Sequence, residues 1–480
     1  MKTKIKYVIA FLLLPFILVS QNSFEFVFKD TISARCYSTF IDSEDFFVTV
    51  GKCINPDNQN HDGLFLKYKD GTDIIINKLS KPDTFAIIKF GFELGNGNYL
   101  FLGVIDDNND PYFKNLYIVE TDNNFGTVNE KIYGIPDQYN ALSIYNYYVN
   151  ADGSVIIHGH VDDPAPGFIN DIYIAKLNEG HELMGTTITP DFYGDVGSEM
   201  LKKPDNSGYY LIGGFGYAEL IEIDNDINIV GYQWMDPDND YHGHLGVRWL
   251  SDGNIIIASQ ANQEVPGAFY DLRVRLCDTE LVAYKDTVIF EDGKNRLPIH
   301  SGLDFIDENN IWVVTDAQEG KSEYGKIYIF DAGLNVKGAK YFGGTVPKYL
   351  YSIKALPDGG CIITGTTPKE GKNGEKSDKS VYIKKVMPFD ILTHAEETPD
   401  VSDFDVLLYP VPFGQELNIE TYRKGLSFSM LTVNGECVVS HKELGIPHTS
   451  IKTPTLAKGV YFYSIYDKEK IIQSGKIIKK

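Results

Sequence analysis

Cysteine and tryptophan are scarce in this chain, with five Cys and three Trp in 480 residues. Five cysteines are too few for a disulfide scaffold. Positive charge is also short: 44 Lys and Arg face 66 Asp and Glu, for a net charge of −22. That balance argues against nucleic acid and anionic membrane surfaces, both of which select basic patches. Beyond the first twenty residues no apolar run approaches the length needed to span a membrane. Sustained helical periodicity is missing. So are Gly-x-Ser-x-Gly, a phosphate-cradling glycine loop, His-Glu-x-x-His and Cys-x-x-Cys, which removes the enzyme classes that those motifs announce.

What is present is aromatic and turn-rich: 31 Tyr, 28 Phe and 44 Gly. Tyr- and β-branched-rich segments punctuated by Gly, Asn and Asp are the composition of an all-β protein. Residues 1–20 read as a secretory signal, with Lys2, Lys4 and Lys6 before the apolar core Val8 to Val19. Their removal takes three lysines and no acid, so the net charge falls from −22 to −25. Cys36 and Cys53 flank a turn at Ser43 to Asp45. A symmetric hairpin about that turn would set them opposite each other, so a disulfide between them is expected in an oxidising compartment, with two buried thiols as the alternative.

One pattern recurs through the next 350 or so residues: a turn, three or four apolar residues, then a small residue. It is seen in Asn98-Tyr99-Leu100-Phe101-Leu102-Gly103, Asp152-Gly153-Ser154-Val155-Ile156-Ile157-His158-Gly159 and Asp358-Gly359-Gly360-Cys361-Ile362-Ile363-Thr364-Gly365. The closing small residues fall at 51, 103, 159, 213, 259, 315 and 365. Each copy is preceded by a short apolar strand and followed by another, such as Ile172-Tyr173-Ile174-Ala175-Lys176. Units of four strands at a period near 50 residues indicate propeller blades, and seven copies indicate seven blades. The seventh copy lacks a fourth strand, whereas Phe24 to Lys29 is a strand without a blade. Pairing that segment beside residues 381–386 would close the ring and remove its free edges. The expected fold is all-β, a seven-bladed β-propeller over residues 21–388 and a small C-terminal β-sandwich over residues 406–480. An acidic linker, 389–405, joins them.

The tail opens with Tyr409-Pro410-Val411-Pro412-Phe413, where the alternating prolines force extended backbone. Alternating segments then follow, with turns at Val433-Asn434-Gly435 and Lys458-Gly459, and about six to seven strands are expected. Leu456-Ala457-Lys458-Gly459-Val460-Tyr461 and the basic end Gly475 to Lys480 complete the pattern. Taken together this resembles the C-terminal sorting domain of type IX secretion, the export route of Bacteroidetes-like bacteria. The family opens on Tyr-Pro-Asn-Pro-Phe, so Val411 departs from it. The resemblance implies that Tyr409, Pro410, Pro412, Phe413, Gly435, Gly459, Tyr461, Lys479 and Lys480 carry the sorting signal. It also implies that the partners are the outer-membrane secretion machinery and a sortase-like processing step. The tail would then be removed and the cargo released or attached at the cell surface.

Candidate chemistry in the ring is sparse. His158-Gly159-His160 and His242-Gly243-His244 have a spacing that puts both rings on one face of a strand, but neither has a third ligand nearby in sequence, and no metal or cofactor is implied. Asp106 to Asp110 and Asp236 to Asp240 are oxygen-rich yet lack the Gly and Glu of a calcium loop, and read as Asx turns. His244 and His300 each stand fifteen residues before the small residue of their blade, a place held by Ile144 and Leu350 in two other blades. This puts both at the start of an innermost strand, near the channel mouth, as candidate ligand-binding residues. The Ser/Asp repeats of sialidase-type propellers and the Trp-Asp dipeptides of another propeller family do not occur. The leading expectation is a non-catalytic, secreted or surface-displayed binding module for a glycan, peptide or matrix ligand. An extracellular propeller hydrolase or lyase and a structural adhesin or spacer are the alternatives.

Overall fold

The structure is a computed structural model. It describes residues 23–392 and 406–480, apart from 29–32, 70–73, 82–83, 107–112, 163–169, 190–198, 214–218, 235–241, 263–269, 281, 290–293, 298–299, 320–321, 343–347, 369–378, 410–412, 422–423, 446–447 and 469. The expected signal peptide and most of the expected linker therefore lie outside the described residues.

Seven antiparallel sheets follow one another along the chain. In the first, strands a to d are Ala34–Ile41, Phe47–Ile54, His61–Tyr68 and Ile75–Leu79. The second runs Phe85–Glu93, Tyr99–Asp106, Asn115–Thr121, Thr127–Gly134, and the third Leu142–Val149, Val155–Asp162, Asn170–Leu177, Leu183–Thr189. The fourth is Glu199–Lys202, Gly208–Gly213, Glu219–Asp224, Ile229–Trp234, and the fifth His242–Trp249, Ile255–Asn262, Tyr270–Cys277, Ala283–Ile289. In the sixth, strand a is split into Lys294–Arg296 and Leu303–Asp304, both paired with Ile311–Glu319, which is followed by Ser322–Phe330 and Val336–Phe342. The seventh contributes Tyr349–Ala355, Cys361–Pro368 and Lys379–Val386.

Its fourth strand is Phe24–Phe28, antiparallel to Lys379–Val386 with Phe24 opposite Lys385 and Phe28 opposite Val381. The N-terminal strand thus closes the ring as the strand count required. Phe24 and Phe26 meet Tyr68 of the first blade edge-on, at 6.1 and 5.0 Å, so the latch packs against the neighbouring blade as well as pairing with its own. The expected linker begins later than its composition suggests. Phe389–Leu392 is a helical turn whose Ile391 is buried in the core shared by the sixth and seventh blades, and burial of that side chain holds the turn to the ring.

Tight turns of two repeating kinds recur at one end of the sheets. Turns between strands a and b put a left-handed residue at one place, a glycine at Gly97, Gly153, Gly253 and Gly359, where a Cβ is strained, and Asp45 or Asn206 in the first and fourth blades. Turns between strands c and d begin on Asp122, Asn178, Asp224, Asp278 or Asp331, whose side chains accept backbone N–H bonds from four residues on. Phe125, His181, Ile227 and Leu334 hold positive φ there and are buried. Strand d of the preceding blade clamps them: Asn77 donates to the Phe125 carbonyl at 3.2 Å, Tyr133 to His181 at 3.2 Å and Thr187 to Ile227 at 2.7 Å.

The tail forms two sheets, one ordered Val406–Tyr409, Glu416–Thr421, His448–Lys452 and the other Cys437–Glu443, Leu426–Thr432, Gly459–Asp467, Lys470–Lys479. They enclose a core of Phe413, Leu417, Ile419, Phe428, Met430, Ile465 and Ile477.

Candidate functional site

The closing glycines of the repeat explain the geometry at the ring axis. Strand a carries a β-bulge in the first, second, third and seventh blades, at Tyr37, Lys89, Tyr145 and Tyr351. Opposite each bulge stands Gly51, Gly103, Gly159 or Gly365, where a Cβ would lie within 1.9 to 2.4 Å of a carbonyl oxygen of the bulged strand. Only glycine admits that approach, and the extra residue is re-aimed out of the sheet.

The register of the first blade overturns the expected disulfide, being one residue off at the turn and one more after the bulge. Pairing runs Ile41 with Phe47 down to Ser38 with Val50, then shifts by one residue, so that Cys36 faces Gly51 and Cys53 faces Ala34. Neither thiol is in a disulfide, both are buried, and Cys36 Sγ donates to the Gly365 carbonyl of the seventh blade at 2.9 Å.

The re-aimed side chains meet at the axis. His300 of the sixth blade lies against Phe90 at 5.2 Å, Tyr37 at 5.7 Å, Tyr351 at 6.3 Å and Tyr145 at 6.4 Å between ring centroids, and its N–H donates to the Tyr351 carbonyl at 3.0 Å. Four blades thus converge on a histidine from a fifth. His300 itself is only 6 % exposed, so it is part of the floor that closes the channel rather than a side chain standing at its mouth. Its partners are also displaced by one from the sequence alignment: Ile144 and Leu350 point into the blade cores, and Tyr145 and Tyr351 take the axial places. His244 lies in the strand His242–Trp249, at a register shift between His242 and Gly246; its side chain is outside the described residues.

His158 and His160 do share a face, 5.7 Å apart, and His160 lies 4.8 Å from Tyr145. Burial pushes His158 down to about 3 and His160 well below the usual range. Among the described residues no group of three or more His, Cys, Asp or Glu could hold a metal ion. Asp107 to Asp110 and Asp236 to Asp240 lie outside the described residues.

Two charged clusters flank the aromatic floor. Toward the a–b turns, Arg248 bridges Glu199 at 3.3 Å and Asp304 at 3.1 Å, and Lys354 reaches Asp304 at 3.1 Å. Asn146 donates to Glu199 at 2.6 Å, Arg248 to Ser301 at 3.2 Å and the Ala355 N–H to Asp304 at 2.9 Å. Burial raises the Glu199 carboxyl above the usual carboxylate range; at Asp304 the same burial is outweighed by Arg248 and Lys354, which hold it low. This knot ties the inner strands of five blades together.

At the opposite end, where strands d lead to a and b to c, cations gather in the seventh, first and second blades, while Asp162 and Asp316 act on Tyr145 and Tyr351 of the third and seventh. Arg35 stands directly opposite Lys52 in the a–b pairing of the first blade. Lys52 Nζ is 3.3 Å from His61 Nδ1, and Lys89 Nζ sits 4.1 Å over the Tyr37 ring. The Lys379 N–H of the seventh blade donates to Ser33 Oγ at 3.1 Å, which brings that residue to the same edge. Burial, then Arg35, Lys89 and Lys379, push Lys52 down to about 7; burial, then Arg35, push Lys89 down to about 8. Sequence reading passed over these cations because each is isolated along the chain. The available signal was the bulge itself, which the glycine at the end of each apolar run marks.

In the tail, Phe413, Tyr461 and Lys479 come together. Phe413 is fully buried, 6.2 Å from Tyr461, with Lys479 Nζ 5.5 Å over its ring. The Phe413 N–H donates to Ile478 at 2.8 Å and the Lys480 N–H to Phe413 at 3.0 Å, so the opening motif is stitched to the last strand. Tyr461 Oη donates to Ala457 at 2.7 Å. Gly435 has a φ of 82° and Gly459 of 154°, both at turns with open space around the Cα. Tyr409 ends the first strand, and Pro410 and Pro412 lie outside the described residues. Among the described residues no helix is long and apolar enough to cross a membrane.

A comparison with curated proteins returns no match. Among solved structures, a protein of unknown function from Dyadobacter fermentans is similar at 11% identity and a TM-score of 0.45, covering 75% of this chain and 98% of its own. A GH93 α-L-arabinofuranosidase of Fusarium graminearum in complex with arabinobiose gives 11% and 0.40, covering 77% of this chain and 98% of its own. The WD40 domain of Toxoplasma gondii coronin gives 10% and 0.40, covering 76% and 87%. Likeness at that level says nothing of ligand or activity. The family described as secretion system C-terminal sorting domain matches residues 407–480. Residues 407–480 are therefore a type IX sorting domain, and the chain is one that this route exports to the cell surface or beyond it.

Proposed function

We propose that the ring is a non-catalytic binding module, displayed or released by the type IX route, whose extracellular ligand sits over the aromatic floor of the channel. The observation that carries this reading is the set of bulges that turn Tyr37, Lys89, Tyr145 and Tyr351 inward in four blades around His300. Bulges that re-aim side chains cost ladder pairing and are characteristic of sites. A closed floor beneath an open end is a recess, which suits binding of a glycan, a peptide or a matrix component. The proposed arrangement has a signal over 1–20, the ring from 21, and a sorting domain that a sortase-like step removes after export.

One observation favours a hydrolase instead. Glu199 and Asp304 share Arg248 yet have their carboxyls displaced in opposite directions, a pattern found where one carboxylic acid donates a proton and another stays ionised. Against it, Asp304 is held by two cations and a backbone N–H, and both carboxylates are buried in the knot that joins the inner strands. The mature chain on glycan and peptide arrays, alongside a polysaccharide hydrolysis panel, separates the readings. Retention of at least one ligand without turnover supports binding. Turnover that Glu199→Gln abolishes supports the hydrolase, and silence in both leaves the spacer.

A further inference from the structure

We propose that the channel end formed by the seventh, first and second blades holds an oxyanion, a sulfate, phosphate or carboxylate, between Arg35, Lys52 and Lys89. This rests on the reading of the ring as a binding module and names the chemistry of its ligand. In a chain of net charge −22, three clustered cations that form no ion pair among the described residues are an exception that needs a cause, the more so as Asp316 acts on the same Tyr351 ring as Arg35. Arg35 and Lys52 are cross-strand partners directly opposite each other, an arrangement that destabilises a sheet when the charges are alike. Among the described residues no carboxylate lies within 4.0 Å of Arg35, Lys52 or Lys89. Lys52 instead faces His61 at 3.3 Å, and Lys89 lies over Tyr37 at 4.1 Å. Lys379, anchored through Ser33, adds a further charge at the same edge.

Burial first, and Arg35 after it, push the ammonium groups of Lys52 and Lys89 down. A compact anion among them would offset the repulsion from Arg35 and supply acceptors for a guanidinium fork and two ammonium groups, the chemistry that arginine and lysine use on sulfate, phosphate and carboxylate. Three cations from neighbouring strands that converge on one recess fit a single dense group better than the dispersed charges of an acidic peptide. The aromatic floor beneath them closes the recess, so the group enters from the end of the ring bearing the d–a and b–c connections.

The test uses the mature chain with sodium sulfate, inorganic phosphate, an oligogalacturonide, a sulfated oligosaccharide and a neutral oligosaccharide, each matched with NaCl for ionic strength. Calorimetric affinity and the unfolding midpoint are read for wild type, Arg35→Gln, Lys52→Gln and Lys89→Gln. The proposal expects at least one anion to bind and raise the midpoint, and each variant to bind about tenfold or more weakly, the scale of one charge-assisted hydrogen bond. Inorganic anions that bind as well as the saccharides identify a small free anion as the source; preference for the acidic saccharides identifies a group carried on sugar. Without anion, Arg35→Gln and Lys52→Gln should raise the midpoint because a repulsive pair is relieved, which separates lost binding from lost folding. A response no greater than that of NaCl, variants that bind as tightly as wild type, or a lower midpoint in both unliganded variants would overturn it. Array retention of a neutral ligand by wild type and variants alike would leave the binding module standing and remove the oxyanion.

Discussion

Truncating Phe26 to alanine should weaken the whole ring, although the residue lies at the N-terminal edge and makes no part of the candidate site. Phe26 is partly buried, 5.0 Å edge-on to Tyr68 of the first blade and 6.1 Å from Phe24, while its backbone pairs with Ile383 of the seventh. Truncating a fully buried phenylalanine costs about 3–5 kcal/mol, and partial burial brings this to about 2 kcal/mol. The edge-on ring contact adds roughly 0.5–1 kcal/mol. A domain of about 200 residues loses roughly 2–4 °C per kcal/mol. The larger ring should lose less per kcal/mol, for a fall of about 4 °C in the unfolding midpoint. Glu25→Gln is the control, because its ion pair with Lys384 is partly exposed and worth at most about 1 kcal/mol. Deleting residues 21–28 should do more, since it bares the edge of Lys379–Val386 and invites association through that edge. Differential scanning fluorimetry and size-exclusion chromatography read both effects. Equal midpoints for Phe26→Ala and Glu25→Gln, or a deletion that stays monomeric at the wild-type midpoint, would refute the latch.

The remaining expectations concern the axis. Gly103→Ala should destabilise strongly, by about 3 kcal/mol or more as overpacking against backbone, because its Cβ would lie 2.2 Å from the Ile87 carbonyl oxygen; Gly97→Ala, strained but in open space, should cost about 1 kcal/mol. Urea midpoints compare the two. Arg248→Met leaves Glu199 and Asp304 buried without their shared cation and should cost about 3–5 kcal/mol by urea unfolding. Lys52 has a folded value near 7 against an ordinary 10.5, with Arg35, Lys89 and Lys379 facing it and burial as the main cause. In that window the unfolded chain holds the proton that the folded chain has released, so this group's penalty is full below about 7 and stability gains as pH rises from there toward 10.5. Midpoints measured across that range should rise more for wild type than for Lys52→Met.

The number of blades was legible because each apolar strand b ends on a small residue, and the physical reason lies in Gly51, Gly103, Gly159 and Gly365, which the bulged carbonyl oxygens of strand a require. The closing strand was legible because Phe24 to Phe28 alternates like a strand and no other blade lacked one. What the bulges do to register was not legible. The turn that sets Ile41 against Phe47 is one residue off the symmetric pairing, and the bulge adds one more, so Cys36 misses Cys53; an inserted residue likewise puts Tyr145 and Tyr351 where Ile144 and Leu350 were expected, since side chains alternate with a period of two and any shift by one exchanges faces. The aromatic floor and the Arg35, Lys52 and Lys89 recess were missed for a related cause. Their members come from blades far apart in sequence, and a lone Lys or Tyr on a strand looks the same whether it faces solvent or the axis. The turns from strand c to d carried a signal that was present, an Asp or Asn three residues before a buried side chain such as Phe125, Ile227 or Leu334, but its role as an interblade clamp appears only when Asn77 and Thr187 are seen to reach it.

The most direct measurement for the account is ligand retention by the mature chain on combined glycan and peptide arrays, read against hydrolysis of the same glycans. Retention of one or more ligands is expected, acidic ones foremost, with the bound material recovered intact. No retention on either array, together with cleavage of a polysaccharide that Glu199→Gln abolishes, would contradict it.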